Sequence, residues 1–342
     1  MSAATIKDVA REAKVSVASV SRALNGGGGV TAETSQRIHE AARRLHYVPH
    51  AAARMLITRR TNTVGALLPD LHGEFFSELI RGIDLAARAR GLHLLVSSSH
   101  DGAEDAAAAL RAMQGRVDGL LILSNHVDAA FLRSNLPAGL PAVLLNSAVK
   151  NPAYAVLNID NYGGAHAMVR HLLETGHAGV TFIAGPTDNF DAQQRELGYR
   201  AAMAKYAPHA APDVVAGDFS EEAGYRAGRQ LLARTPRPRA VFAANDMMAV
   251  GCLSAFKEAG VEVPGEIALA GFDDIPIARY VTPSLCTVRV RIADLGRSAL
   301  EQLAARLEDP RRATPSSHTL ACEIVTRASC GGGRPAAPQN AS

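Results

Sequence analysis

Polar and aromatic residues recur just beyond short apolar runs. Phe75 and Phe76 follow "VGALLPD", and Asn146 closes "AVLLN". Asn189, Phe190, Asp191 and Arg195 follow "VTFIAGP". "AVFAAND" ends in Asn245 and Asp246, and "IALAGFDD" ends in Phe272, Asp273 and Asp274. Asp and Arg can each engage two adjacent hydroxyls, Asn offers a donor and an acceptor, and an aromatic face covers the apolar side of a sugar ring. This set recognises a small hydroxyl-rich molecule. It does not look catalytic: there is no GxSxG elbow, no HExxH and no Walker sequence. Asp273 and Asp274 are adjacent, so they should point apart and not form an acid–base pair. Asp246 and Asp274 can also be read as helix N-caps, and Phe76 as core.

The elements that must position these residues are strands alternating with helices. Runs such as "HLLVSSS", "DGLLILS", "AVLNI" and "DVVAG" are rich in Val, Ile and Leu. Between them lie amphipathic stretches such as "FFSELIRGIDLAARARG" and "MMAVGCLSAFKEAG". That alternation implies parallel sheets covered on both faces. Four such strands come before Asn158 and four or more after, which implies two similar lobes. In open α/β sheets ligands bind beyond the carboxyl ends of strands, so two facing lobes make a cleft there.

Composition narrows the class further. A chain of 342 residues with 47% hydrophobic residues can bury more than one core. No apolar run is long enough for a membrane span, and "MSAATIKDVAREAK" has no signal-peptide core, so the cytoplasm is expected. Cys252, Cys286, Cys322 and Cys330 show no metal spacing and are expected to be buried or incidental thiols. No cofactor or metal is expected.

The charge is unevenly distributed. Residues 1–60 hold ten Lys/Arg and four Asp/Glu, a net of +6, whereas residues 61–342 carry a net of −3. A basic head on an acidic body is a footprint of nucleic-acid binding, although a solvated basic face would give the same numbers. The order of residues decides between them. Thr5 and Asp8 form a variant capping box ahead of Ile6, Val9, Ala10 and Ala13, one apolar helix face. Ser16 caps a second helix whose Val20 and Leu24 face inward, while Val17, Ala18, Ser21 and Arg22 lie toward the other side. Gly26 to Gly29 break the chain; with a helix before them and no GK[ST] after, they read as a connector. Thr31 caps a third helix through Leu45 with Ile38, Ala41 and Ala42 inside. This is a helix-turn-helix domain.

"TIKDVAREAKVSVASVSRALNG" and "VTAETSQRIHEAARRLHYVPHAAARML" closely resemble the head of the lactose-repressor (LacI/GalR) family of bacterial transcription regulators. With the body, the resemblance runs from residue 5 to about residue 328. It implies an α/β fold with an N-terminal helix-turn-helix DNA-binding headpiece (1–48) and a hinge helix and linker (49–62). A two-lobed periplasmic-binding-protein-like domain of parallel sheets follows. Its lobes are expected at 63–158 plus 291–317 and at 159–290 plus 318–328, with crossings near 159, 290 and 318. The tail, 329–342, is Gly/Pro/Ala-rich without a heptad, so its last ten or so residues should be disordered and the protein a homodimer without a tetramerisation helix.

The resemblance also assigns roles. The run from Pro49 to Leu56 is too short to hold a helix alone in water. In the family it folds on operator DNA beside its twin, and the residue at the Leu56 position wedges into the minor groove at a central CG step. Ala53 is small, as close approach requires, and His50 stands where the family usually has Asn. The second helix should enter the major groove. Val17 and Ala18, at the family's specificity positions, can touch thymine methyls, and Arg22 can hold guanine bidentately, worth about 1–3 kcal/mol of discrimination. Ser16, Ser19 and Ser21 are phosphate or base candidates, Ser16 also being a cap; Thr5, Asn25 and Tyr47 complete the DNA-contact set. For the effector, Arg195, Asn245 and Asp273 match family positions, with Phe75, Phe76, Asn146, Phe190 and Asp191 around them. Val290 replaces a Gln common in sugar-responsive members.

The expected protein is a cytoplasmic repressor of carbohydrate-utilisation genes. Its partners are a pseudo-palindromic double-stranded operator, a sugar-like effector and a second copy of the chain, with half-sites about 34–36 Å apart. A corepressor-dependent regulator responding to a purine or to a phosphorylated protein is the alternative.

Overall fold

The computed structural model describes residues 4–24, 29–47, 60–100, 102–137, 139–149, 151, 153–309 and 317–331. The chain divides into a head ending at Asn62 and a body beginning at Thr63, and each is taken by itself.

In the head, α1 (Ile6–Glu12), α2 (Val17–Leu24) and α3 (Ala32–Arg44) close around Val9, Val20 and Ile38, all fully buried. Each helix starts where the sequence places a cap. The amide and hydroxyl of Thr5 both donate to Asp8 Oδ2, at 2.9 and 2.6 Å. Ser16 Oγ accepts from the Ser19 amide at 3.1 Å, and Thr31 Oγ1 from the Thr34 amide at 3.3 Å. The expected hinge helix, with His50, Ala53 and Leu56, lies outside the described residues, as does Asn25.

The body contains two six-stranded sheets. The first runs β2 (His93–Ser98), β1 (Thr63–Leu68), β3 (Gly119–Ile122), β4 (Ala142–Leu145), β5 (Ala155–Ile159) and β11 (Ser317–Leu320), all parallel. The second runs β7 (Asp213–Val215), β6 (Thr181–Ile183), β8 (Ala240–Ala243), β9 (Ala268–Asp273), β10 (Cys286–Arg289) and β12 (Glu323–Val325), parallel except for β12. The first five strands of each sheet have the same order, so the lobes are two copies of one topology.

Helices cover both sheets. Lobe 1 carries α4 (Glu74–Arg88), α5 (Ala103–Met113), α6 (Ala129–Asn135) and α11 (Ile292–Glu308). Lobe 2 carries α7 (Asn161–Glu174), α8 (Phe190–Tyr206), α9 (Glu221–Leu232) and α10 (Asp246–Glu258). The chain passes from β5 to α7, from β10 to α11 and from β11 to β12. The third crossing therefore falls after Leu320 and not near 318: Ser317–Leu320 adds an edge strand to β5, using hydrogen bonds that residue pattern alone does not reveal.

Two further expectations change. Cys286 and Cys330 are joined by a disulfide across 44 residues of sequence, leaving Cys252 and Cys322 as thiols. Residues 329–331, expected to belong to the tail, have defined structure, and the rest of the tail lies outside the described residues. Ala328–Cys330 form a 3-10 turn in which Ser329 is fully buried, its hydroxyl donating to Leu269 O at 2.6 Å and accepting from the Cys286 amide at 2.8 Å. Buried polar satisfaction, invisible in a Gly/Pro-rich composition, holds this turn against β9 and β10.

The helix pair α4 and α11 fixes lobe 1. A Cβ at Gly82 would overlap the Ala293 carbonyl, and one at Gly296 would sit 2.5 Å from the Leu79 carbonyl oxygen. The backbones meet because neither residue has a side chain. Gly82→Ala should therefore lower stability by more than about 2 kcal/mol, through overpacking against backbone. Thermal unfolding of the full chain checks this; an unchanged melting temperature would mean that the helices can separate freely.

Candidate functional site

In the head, α2 presents an outward face. Val17 is 41% exposed, with Ala18 and Arg22 exposed beside it. Val20 on the opposite side is fully buried, so the helix is anchored by one face and offers the other. Ser16 and Ser19 are tied together, Oγ to Oγ at 2.9 Å, at the helix start. Tyr47 is half-buried and packs on the head core.

In the body, a cavity of about 510 Å³ opens between the two sheets, at the carboxyl ends of their strands. Lobe 1 contributes Asp70, His72, Phe75, Phe76, His100, Asn125 and His126. Lobe 2 contributes Asn189, Asp191, Arg195, Asp218, Phe219, Asn245 and Asp273 among others. Phe75 and Phe76 meet edge to face at 5.5 Å and give the lobe 1 wall its apolar character.

The floor is one polar network. Arg195, 3% exposed, donates from Nε to Asn161 Oδ1 at 2.7 Å and from Nη1 to the Ala244 carbonyl at 2.6 Å. Its Nη2 lies 3.0 Å from Asp273 Oδ1. That contact is an ion pair off the hydrogen-bond line, so Asp273 Oδ1 is buried without an aligned donor. The guanidinium stacks on the Phe272 ring, 3.8 Å from its centre, with Phe219 at 5.8 Å. Asp191 accepts from Asn161 Nδ2 at 2.7 Å and from Asn146 Nδ2 at 2.8 Å. Asn146 belongs to lobe 1 and Asp191 to lobe 2, so this bond spans the cleft. Asn146 Oδ1 is buried without a partner. Asn146 Oδ1 thus lacks a donor, and Asp273 Oδ1 has only the guanidinium of Arg195 beside it.

Backbone geometry is unusual around the floor. Asn146, Phe219 and Asp273 have φ of +47°, +73° and +115°, conformations L-residues seldom adopt. Asn146 follows β4, Asp273 ends β9 and Phe219 lies in the turn between β7 and α9; Phe219 and Asp273 line the cavity. Burial pushes both Asp191 and Asp273 up from 3.8 to about 6, against the lowering pull of Arg195. Burial raises Asp246 well above its ordinary value too, with the charge on Asp273 adding to it.

Residues 5–50 match the family described as bacterial regulatory proteins, lacI family, and residues 169–330 match the periplasmic binding protein-like domain. The ribose operon repressor of Escherichia coli is 36% identical over 312 residues, covering 90% of this chain and 94% of that protein. The repressor PurR of Erwinia tasmaniensis is 35% identical over 312 residues, covering 90% and 92%. The chain belongs to the lacI family of regulators. A structure of the lac repressor dimer bound to operator and the anti-inducer ONPF superimposes with a TM-score of 0.86 at 26% identity, covering 96% of this chain and 99% of that one. This lacI-family member is accordingly a DNA-binding transcriptional repressor with an effector-binding body.

Most of the residues expected at the effector site of this lacI-family repressor meet in the cavity: Phe75, Phe76, Asp191, Arg195, Asn245 and Asp273 line it, and Asn146 bonds one of them. Phe190 does not line it. Asp191 and Arg195, four apart, share one face of α8, and Phe190 is turned roughly 100° from Asp191. Asn245 lines the cavity but is partly committed: its Oδ1 caps α10 through the Met248 amide at 3.0 Å and its Nδ2 donates to the Phe219 carbonyl at 2.9 Å. Asp246 is therefore not the cap; it accepts from Thr287 Oγ1 at 2.6 Å and the Ile275 amide at 3.0 Å. Nor does Asp274 cap a helix. It turns away from the cleft to Arg289 and Arg327, as expected for a neighbour of Asp273. Val290 is buried in core.

Sequence reasoning missed His100, Asn125, Asp218 and Phe219, although each follows a strand it had identified. The strand-end rule applied to every strand finds them. It also missed Asn161, which joins Asp191 to Arg195. No pattern marks Asn161, because its importance lies in where the first crossing delivers it.

The raised carboxyls make a pH prediction. Asp191 and Asp273 hold protons more tightly folded than unfolded, so they help folding below about 4, and this help is lost as pH rises through about 6. Asp273→Asn should match the parent near pH 4 and exceed its stability by about 1–3 kcal/mol at pH 7.5. Denaturant titrations at the two pH values check this. Equal stability at pH 7.5 would mean that Arg195 already compensates the buried charge.

Proposed function

We propose that this lacI-family protein is a cytoplasmic homodimer that represses carbohydrate-utilisation genes and is controlled by a small sugar-like effector in the interlobe cleft. The observation that supports the effector reading is the polar floor of the cavity, Asp191, Arg195 and Asp273 beside Phe75, Phe76 and Phe219, with the buried Asn146 Oδ1 left without a donor next to it. Hydroxyls would find acceptors in the floor carboxylates, and the phenylalanines would cover the apolar faces of a ring. The names of relatives support a hydroxyl-bearing effector in one case, the ribose operon repressor. A purine reading draws on PurR and on the flat faces of Phe75 and Phe219.

The DNA reading assigns α2 to the major groove. Val17 and Ala18 contact thymine methyls, Arg22 reads guanine, and Thr5, Ser16, Ser19, Ser21, Asn25 and Tyr47 position the head on phosphates and neighbouring bases. Leu56 is the minor-groove wedge, with Ala53 and His50 beside it. The effector works only through unequal affinity for two arrangements of the lobes, a difference of about 1–3 kcal/mol in typical cases. A ligand that displaced or strengthened the Asn146–Asp191 bond would have that property.

Two measurements test this. Leu56→Ala should leave thermal stability unchanged and weaken operator binding at least roughly tenfold in an anisotropy titration, since an apolar wedge contributes a few kcal/mol to bent DNA. Wild-type affinity would remove the wedge assignment. Arg195→Ala or Asp273→Ala should bind operator normally and lose the effector response. A mutant that still responds at the wild-type effector concentration would place the effector elsewhere.

A further inference from the structure

We propose that the effector is uncharged, and that the cleft is built to reject phosphorylated and carboxylated compounds. This rests on reading the cleft as the effector site. The first argument is charge. Among the described residues, Asp70, Asp188, Asp191, Asp218, Glu221 and Asp273 line the cavity against a single guanidinium, Arg195. His72, His100 and His126 line it too, and the six acidic side chains outnumber these three and Arg195 together. Arg195 is already occupied, with Asp273 at 3.0 Å and donor bonds to Asn161 and Ala244. Arg226 reaches Asp218 from outside the lining at 3.4 Å and is largely exposed.

The second argument is the state of the helix starts. Helix N-termini are the usual anion sites of α/β proteins, because free amides and the helix dipole converge there. Three of the four that open on this cavity are closed by their own caps: Asn189 to the Ala192 amide at 2.9 Å, Ser220 to the Ala223 amide at 3.1 Å, and Asn245 to the Met248 amide at 3.0 Å. All four carry an acid in the first turn: Glu74, Asp191, Glu221 and Asp246. Three of these starts thus have an amide already taken by a cap, and Glu74, Asp191 and Glu221 add negative charge at the starts of α4, α8 and α9, whereas Asp246 is turned to Thr287 and Ile275. An anion entering the cavity meets like charge with no compensating donor cluster, which is how a site rejects a ligand it would otherwise fit.

The test uses the full chain and matched pairs: ribose with ribose 5-phosphate, glucose with glucose 6-phosphate and glucuronate, adenosine with AMP. Thermal shift finds binders and calorimetry measures them, for the wild type and for the triple variant Asp188→Asn, Asp218→Asn, Glu221→Gln. The expected result is that binders are uncharged, that the charged partner binds roughly 100-fold more weakly or worse, and that the triple variant narrows this gap at least roughly tenfold. If the wild type binds nothing in the panel, the variant should still gain stabilisation from the anionic members. An anion bound by the wild type as well as its neutral parent, a gap unchanged in the variant, or a panel blank for both proteins would overturn the proposal. Arg195→Ala separates the two levels. Anion binding abolished by that change would keep the cleft and discard the charge selection, whereas binding indifferent to it would discard the cleft reading itself.

Discussion

A guanidinium buried at the floor of the cleft constrains the rest of the body. Arg195 has almost no contact with water, and a charge in that position is tolerable only if its donors are used and opposite charge is near. Helix α8 supplies the arginine, α7 supplies Asn161, the end of β8 supplies the Ala244 carbonyl and the end of β9 supplies Asp273. Four elements must therefore arrive together, and the Phe272 ring must sit beneath the guanidinium. The site is assembled largely by this one requirement.

The same cluster is incomplete in a useful way. Asp191 and Asp273 share one cation, so two carboxylates are buried for one positive charge, and both are raised to about 6. Asn146 brings lobe 1 into the network by a single bond to Asp191. The contact between the lobes at this depth is thus polar, and its strength depends on what else fills the cavity. Two further bonds join the lobes: Asn189 Nδ2 donates to Asn125 Oδ1 at 3.1 Å, and the Ile277 amide to Glu74 Oε2 at 2.8 Å. Closure of two rigid sheets through a few polar contacts suits a protein that must change the relation of its lobes at modest energetic cost.

Duplication explains why the cleft exists. Both sheets share one strand order, so each presents the carboxyl ends of its strands and the starts of its helices on one side. Facing each other, they bring helix starts from both lobes around one volume. The caps and first-turn acids at those starts are local features with a collective effect. Each stabilises its own helix, and together they set the sign of the field that a ligand meets.

Much of this was legible in the residues. The head could be read from its caps and from Val9, Val20 and Ile38 at helical spacing, because local hydrogen bonds and periodic burial are properties of neighbours in sequence. The alternation of strands and helices, the strand ends and the separation of Asp273 from Asp274 were legible for the same reason. Tertiary structure decided what distant residues do to one another. It paired Cys286 with Cys330, added Ser317–Leu320 to the edge of β5, buried Ser329 and gave the cap of α10 to Asn245. It delivered Asn161 between Asp191 and Arg195, and turned Phe190 away from the cavity. None of these is a matter of spacing along the chain: each depends on which backbone groups and charges, far apart in sequence, are left together without water.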